Sequence, residues 1–242
     1  MRQLLPSDHE VEDLPALLGL DDRTPPTGRP WVLANMVMSI DGAIAVDGRS
    51  GGLGGQPDRQ MFTAVRSVPD VVLVGAGTAR TERYRRPGPG PAAELRTGRG
   101  QTAAPLLAVV SNRALVPEDQ PFLSGEGPDP LLFHPATADV RELPPGVEPV
   151  VAGPAQVDLA EVLRLLAGRG ARTVLCEGGP QLLGDLHAAD LVDEYFVTVS
   201  PQAVGGDQVG VLGGTPAHVR GLRLHRLLAE DDVVLGTWRR ER

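Results

Sequence analysis

Three apolar, β-branched runs of this chain are each followed by a glycine-bearing turn. The runs are Trp31–Ile40, Val71–Val74 and Thr173–Cys176, and helix-like patterns follow their turns. Such runs are typical of strands that are buried on both faces of a sheet. Strands that alternate with helices connect in parallel, because a parallel pair needs a crossover between its strands. The repeated strand–glycine–helix order therefore predicts an α/β fold with a mainly parallel sheet.

The rest of the pattern predicts one domain with an N-terminal addition. Residues 1–29 are predicted to form a short helix and a Pro-rich connector, and residues 30–242 a single domain. DLAEVLRLLAGRGA predicts an amphipathic helix capped by Asp158. LRLHRLLAEDDVVLGTWRR predicts a terminal antiparallel hairpin that turns near residues 230–232. Residues 84–104 are rich in Pro, Gly and Arg, and we expect a mobile surface excursion there.

Composition excludes several classes of protein. The net charge of −8 argues against a nucleic-acid binder, because such binding depends on Lys and Arg. The one cysteine, Cys176, excludes an internal disulfide framework and a cysteine-based zinc cluster, and we interpret it as a core residue. The five histidines lack metal-ligand spacing, so no metal is predicted. The N-terminus lacks a signal peptide and no apolar run could cross a membrane, so we expect a cytoplasmic protein that binds no membrane.

Glycines at two strand ends form candidate anion sites. Gly75 and Gly77, followed by Thr78, begin one helix, and Gly178-Gly179 begins another. Such turns are either plain connections or cradles whose backbone N–H groups bind phosphate. Ligands bind at the carboxyl ends of parallel strands, so these turns and Ser111 are predicted to share one edge. A standard Rossmann site is disfavoured, because Arg80 replaces the third glycine of its fingerprint.

Charged residues near these turns have two interpretations each. Arg80, Arg83, Arg85, Arg86 and Arg113 form either a solvated basic face or partners for a 2′-phosphate, in which case NADP is favoured over NAD.

The first strand carries its own polar candidates. Asp41 either caps its turn or faces a substrate as an acid or acceptor. Asn35 has the strand parity of Val37 and Asp41, so it needs either a core network or a ligand. Ser50 and Arg66 could add a hydroxyl and a charge.

The collected motifs resemble those of a known family. They are ANMVMSIDGAIA, DGRSGGL, VRSVPDVVLVGAGT, LCEGGPQLLGDL and LVDEYFVTVSPQAVGG, and they occur in the family's order. The chain resembles the reductase domain of riboflavin biosynthesis from Pro30 to Trp238. The resemblance implies a dihydrofolate-reductase-like fold with a mixed, mostly parallel sheet flanked by helices, in a homodimer. It implies NADPH-dependent reduction of the ribosyl group of a phosphorylated ribosylaminopyrimidine, such as 5-amino-6-(5-phosphoribosylamino)uracil, to a ribityl group.

The resemblance also implies roles for individual residues. The substrate would contact Asn35, Ser50, Arg66, Arg86 and Glu177, with Asp41 and Glu177 as candidates for the catalytic acid or proton relay beside a bound water. The cofactor would contact Val37, Gly52, Leu53, Thr78, Ser111, Gly178, Gly179, Pro180, Gln181 and Leu182, to which the reasoning on strand-end glycines and arginines adds Gly75, Gly77 and Arg113. Its pyrophosphate would lie at Gly178-Gly179, and its nicotinamide would face the strand from Asn35 to Asp41.

The chain departs from the family on the substrate side. The family often has Lys or Arg where Ala43 stands, and Asp-Asp-Pro where this chain reads TERYRRP. The signatures of the zinc deaminase fused to many family members are missing, so we expect a stand-alone reductase form. Two alternatives stay open: a reductase of a pterin or another small imine or carbonyl, and a non-catalytic nucleotide-binding homologue.

Overall fold

The computed structural model describes residues 1–125, 127–141, 143–206, 209–213 and 216–241. Its strands are β1 (Arg2–Leu5), β2 (His9–Glu10), β3 (Trp31–Ser39), β4 (Val71–Gly75), β5 (Leu106–Val110), β6 (Leu131–His134), β7 (Glu148–Val151), β8 (Thr173–Cys176), β9 (Glu194–Ser200), β10 (Leu222–Glu230) and β11 (Val233–Arg240). Its helices are α1 (Leu14–Gly19), α2 (Gln56–Val65), α3 (Ala76–Thr81), α4 (Ala93–Gly98), α5 (Leu159–Gly168) and α6 (Pro180–Ala188). Both the strand–helix alternation and the terminal hairpin are confirmed.

The chain divides into two compact units. The first comprises Met1–Asp22, Val32–Val68 and Pro180–Arg242. Its strands follow the order β2-β1-β10-β11-β9-β3, in which β3 and β9 are parallel and the other pairs antiparallel. Hairpin β10–β11 turns through Asp231 and Asp232, both of which have positive φ, as a tight hairpin turn requires.

The second unit comprises Arg23–Trp31 and Pro69–Gly179. Its strands follow the order β8-β4-β5-β6-β7, all parallel. The central strands are buried on both faces, which explains their continuous apolar runs. Helix α5 begins where predicted, since the Asp158 carboxylate accepts hydrogen bonds from the N–H groups of Ala160 and Glu161.

Two local expectations differ from the structure. The first 29 residues contain not only a helix but also β1 and β2, because β1 pairs with β10 of the terminal hairpin and β2 pairs with β1. The stretch 84–104 contains α4, whose Arg96 is only 2% exposed. Arg96 donates hydrogen bonds to the carbonyls of Thr102 and Pro69, at 2.9 and 2.6 Å, and thereby anchors α4. Burial lowers the pKa of Arg96 to about 10.

Within the described ranges, no helix combines the length and apolar character that a bilayer crossing would need.

Candidate functional site

The glycine turns of the second unit meet at one edge of its sheet. Strands β8, β4 and β5 are parallel neighbours, so their carboxyl ends point the same way. Gly75 ends β4, and its N–H donates a 2.8 Å hydrogen bond to the carbonyl of Gly178, which follows β8. Ser111 follows β5, whose last residue is the register partner of Gly75. The prediction that Gly75, Ser111 and Gly178 share one edge is confirmed.

Gly179 and Thr78 approach so closely that only glycine fits. A Cβ atom on Gly179 would lie 2.5 Å from Thr78 Oγ1, far inside normal contact distance. By contrast, a Cβ on Gly77 would meet nothing within 4 Å, and Gly77 is exposed. The Thr78 hydroxyl and the backbone of Gly179 therefore lie side by side, with no side chain on Gly77 or Gly179 to cover them. This arrangement fits the predicted phosphate cradle.

Glu177 directly follows β8, at the same edge of the sheet as Gly178, and is 7% exposed. Its N–H continues the β8 ladder to the carbonyl of Leu73, and its Oε2 accepts a 2.7 Å hydrogen bond from the hydroxyl of Tyr84. A buried carboxylate costs free energy unless hydrogen bonds stabilise it. Glu177 is thus a fixed carboxylate beside the glycine cradle.

Arg86 has a structural role that the sequence did not reveal. Its guanidinium donates hydrogen bonds to the carbonyls of Phe122, Leu123, Gly127 and Gly146 at 2.7–3.1 Å. It also lies 3.0 Å from Asp129, and its side chain is 7% exposed. These contacts occupy the guanidinium, so the structure does not support the prediction that Arg86 binds substrate. Three of the other arginines are exposed, namely Arg80, Arg85 and Arg113. Their exposure agrees both with a solvated basic face and with a partner for a 2′-phosphate.

Asp41 follows β3 in the first unit. Its carboxylate accepts hydrogen bonds from the Ser39 hydroxyl and from the N–H groups of Val204 (3.1 and 3.2 Å) and Gly205 (2.7 Å). The Ser39 hydroxyl, together with these N–H groups, lowers the pKa of Asp41 to about 2. Asp41 is therefore ionised at neutral pH. This geometry disfavours it as a proton donor and makes it the anchor of the loop after β9.

Asn35 and Val37 occupy alternate positions on β3, opposite Phe196 and Thr198 of β9. Asn35 Oδ1 is buried, and no hydrogen-bond partner for it occurs among the described residues. An orphaned buried oxygen is costly. The core network considered for Asn35 is therefore not observed at this atom, and a ligand donor would satisfy it.

The other predicted residues of the first unit lie in the loop between β3 and α2 and at the C-terminal end of α2. Ser50 and Gly52 belong to a short 3-10 turn, and Leu53, which follows it, is 1% exposed. The guanidinium carbon of Arg66 lies 4.2 Å from the ring centre of Phe62. This distance is within the range of a cation–π contact, which restricts the Arg66 side chain.

The first turn of α6 contains the last three predicted cofactor contacts. Gln181 is exposed and donates a 2.9 Å hydrogen bond to Asp185, and the Leu182 side chain is buried. Pro180 begins the helix, a position where its missing N–H is tolerated.

Two further residues escaped the sequence analysis. Tyr84 was placed in a mobile excursion, and its bond to Glu177 joins positions 93 residues apart. Asp58 lies in the first turn of α2. Burial raises the pKa of Asp58, while Thr198 and Arg59 oppose that shift. Cys176 agrees with its interpretation as a core residue, since burial raises the pKa of its thiol to about 12.

Similar proteins were found among both curated sequences and solved structures. The chain is 30% identical to the 2,5-diamino-6-ribosylamino-4(3H)-pyrimidinone 5′-phosphate reductase of Archaeoglobus fulgidus, covering 74% of this chain and 83% of that one. It is 31% identical to the same-named enzyme of Methanothermobacter thermautotrophicus, covering 74% and 81%. It is also 31% identical to the riboflavin biosynthesis protein RibD of Mycobacterium tuberculosis, covering 79% of this chain and 49% of that one.

Solved structures share the fold at lower identity. A pyrimidine reductase-like protein from Corynebacterium diphtheriae superposes with a TM-score of 0.79 at 24% identity, covering 88% of this chain and 92% of that one. The yeast riboflavin biosynthesis reductase Rib7 gives 0.70 at 18% identity, covering 95% and 100%. These superpositions confirm the predicted mixed, mostly parallel sheet flanked by helices.

The sequence profile of the family described as the RibD C-terminal domain matches residues 30–234. This range contains every predicted site residue, including the glycine cradle and Glu177. The chain therefore belongs to the RibD C-terminal domain family.

Proposed function

We propose that the chain is a cytoplasmic, NADPH-dependent reductase that converts the ribosyl group of a phosphorylated ribosylaminopyrimidine into a ribityl group. The observation that carries this proposal is the convergence of Gly75, Thr78, Gly178 and Gly179 beside the buried Glu177. A phosphate cradle next to a fixed carboxylate suits a nucleotide cofactor and a polar substrate. The names of the relatives support the same reaction class.

The residues present fit a dinucleotide. The close approach of Gly179 to Thr78 would let the pyrophosphate meet backbone N–H groups, and Ser111 ends the neighbouring strand. We assign Arg113 and Arg80, both exposed, to the 2′-phosphate. Val37, Gly52, Leu53, Gly77, Pro180, Gln181 and Leu182 remain the proposed further cofactor contacts.

The reaction adds a hydride and a proton across a C=N bond. NADPH supplies the hydride, which would add to C1 of the open-chain imine of the sugar. A proton would reach the imine nitrogen, and the product is an amine. Protein residues would orient the two reactants rather than act as nucleophiles.

Acidic residues of the two units receive different roles. Asp41, with a pKa of about 2, would not donate a proton at neutral pH, so we assign it to holding the loop at Val204 and Gly205. Glu177 is the better candidate for binding substrate and for relaying a proton, with a bound water as the alternative relay. Asn35, Ser50 and Arg66 are proposed to contact the substrate, and the orphaned oxygen of Asn35 supports its part.

Thermal unfolding with NADPH tests the cofactor assignment. NADPH at 100 times its Kd should stabilise the protein by about 2.7 kcal/mol. For a chain of this size, that gain raises Tm by about 5–11 °C. Gly179→Ala would displace the Thr78 hydroxyl, and a tenfold loss of affinity would reduce the stabilisation to about 1.4 kcal/mol. Gly168→Ala is the matched control, because its Cβ would meet nothing within 4 Å.

Turnover then tests the substrate. NADPH oxidation is followed with 5-amino-6-(5-phosphoribosylamino)uracil, with the 2,5-diamino-pyrimidinone phosphate of the relatives, and with dihydropterin. Oxidation with either pyrimidine supports the proposal, and oxidation with the pterin alone would favour that alternative. No Tm shift at millimolar NADPH refutes the cofactor assignment. Binding without turnover on all three would favour a non-catalytic homologue.

We also propose that the chain forms a homodimer. Cross-strand register places one set of side chains on the same face of the first unit's sheet, and none of them is fully buried. They are Met36, Met38, Val197, Val199, Val234 and Trp238. Apolar faces of this kind are typical of homodimer interfaces, which are richer in apolar area than the remaining surface.

A further inference from the structure

The bond between Tyr84 and Glu177 depends on how α3 ends. Glu82 donates to the carbonyl of Thr78 at 2.9 Å, and Tyr84 donates its N–H to the carbonyl of Ala79 at 2.9 Å. Arg83, between them, has φ of +50°, a left-handed conformation that non-glycine residues adopt rarely. This reversal brings the Tyr84 ring back towards the end of β8, where its hydroxyl reaches Glu177 Oε2.

We propose that Tyr84 is a positioning residue that holds the Glu177 carboxylate in the orientation that binds substrate. The inference rests on the proposed function and deepens it. A hydrogen bond from a hydroxyl to a carboxylate is short and strong, and 2.7 Å agrees with that class. Glutamate has several rotatable bonds, so a Glu177 side chain without an anchor would lose rotamer freedom when substrate binds. Because the bond to Tyr84 already restricts these rotamers in the free protein, less conformational entropy is lost on binding.

The same short helix connects this carboxylate with the cofactor cradle. Thr78, in the first turn of α3, lies against Gly179, and Tyr84 follows the end of α3. The cradle and the carboxylate are therefore oriented by one rigid element of the second unit. The segment TERYRRP thus supplies the anchor of Glu177 through Tyr84.

Tyr84→Phe, which removes only the hydroxyl, tests the proposal. We expect kcat/KM for the pyrimidine substrate to fall about 10- to 100-fold, because a hydrogen bond to a charged group is lost. The NADPH-induced Tm shift should stay unchanged. In a Glu177→Gln background the same substitution should change kcat/KM less than twofold, since Tyr84 acts through Glu177.

The second tyrosine of the chain provides the control. Tyr195 forms a 2.8 Å hydrogen bond with His187 in the first unit, so Tyr195→Phe also deletes a bonded phenol hydroxyl. It should keep kcat/KM within twofold of the wild type.

The outcomes separate the two proposals. If the wild type turns over neither pyrimidine, the proposed function fails and the inference fails with it. If the wild type is active, two results overturn the role of Tyr84 alone. One is a Tyr84→Phe variant that retains wild-type kcat/KM. The other is a double variant, Tyr84→Phe with Glu177→Gln, whose loss of kcat/KM equals the product of the two single losses. That result would indicate that Tyr84 has a structural effect independent of Glu177.

Discussion

Replacing Arg86 with methionine is expected to destabilise the second unit strongly. Methionine keeps much of the side-chain length but removes the donors to four carbonyls and the partner of Asp129. Hydrogen bonds to a charged group are worth roughly 1.5–3 kcal/mol each, but the sum overestimates the loss because the guanidinium also ceases to be desolvated. Asp129 is 60% exposed and can be hydrated, so the main cost comes from the carbonyls left without a donor, and we expect about 3–5 kcal/mol in total at about 1–3 kcal/mol for each buried unsatisfied acceptor.

This cost corresponds to a large change in melting temperature. At about 2–4 °C per kcal/mol for a chain of this size, Tm should fall by about 6–20 °C. Calorimetry measures the fall, and limited proteolysis should show faster cleavage near Phe122 and Leu123, whose carbonyls Arg86 binds. Arg86→Lys should lose most of the same stability, because an ammonium group cannot reproduce the planar fork.

Arg85→Met is the control, since Arg85 is an exposed neighbour in the same segment. A surface substitution of this kind should change stability by no more than about 0.5 kcal/mol. If Arg86→Met melted with the wild type and instead raised KM for the pyrimidine, the structural role would be refuted. The role of Arg86 in substrate binding would then be restored.

Two other predictions concern the first unit. The stability that Asp41 contributes should be present at neutral pH and lost as pH falls from about 4 towards 2, because its folded pKa of about 2 lies below its unfolded value. The urea midpoints of wild type and Asp41→Asn should therefore converge over that pH interval. A difference between the midpoints that stays constant with pH would contradict the assignment. If the apolar sheet face pairs two copies, Val234→Glu should convert a dimer to a monomer in light scattering, whereas Val219→Glu at a 93% exposed site should not.

Local sequence signals predicted the elements whose causes are local. The Asp158 cap of α5 follows from neighbouring residues, and so does the hairpin turn at Asp231-Asp232. Strand β1 escaped prediction because its partner β10 lies more than 200 residues away and fixes it by pairing. Its short sequence, RQLL, has no strand pattern of its own.

Side-chain partners were the hardest feature to predict. Arg86 and Arg96 lie in a Pro-, Gly- and Arg-rich stretch that is typical of an exposed loop, yet both guanidinium groups are buried against carbonyls. The sequence allowed Asp41 either to cap its turn or to face a substrate. Its role as an anchor became visible only from its hydrogen bonds to the loop after β9, 163 residues away. A carbonyl or N–H partner leaves no residue-type signature, so pattern reading cannot find it.

These findings change how the substrate side of the site is interpreted. Ala43, on the predicted substrate side, is fully buried, and its N–H and carbonyl both bond to Ser39 at 2.9 Å. Arg86 is occupied by carbonyls. Neither residue therefore offers a free cation to the phosphorylated substrate of the proposed function. The proposed function then depends more on Arg66, whose cation–π contact with Phe62 restricts the side chain before a substrate binds.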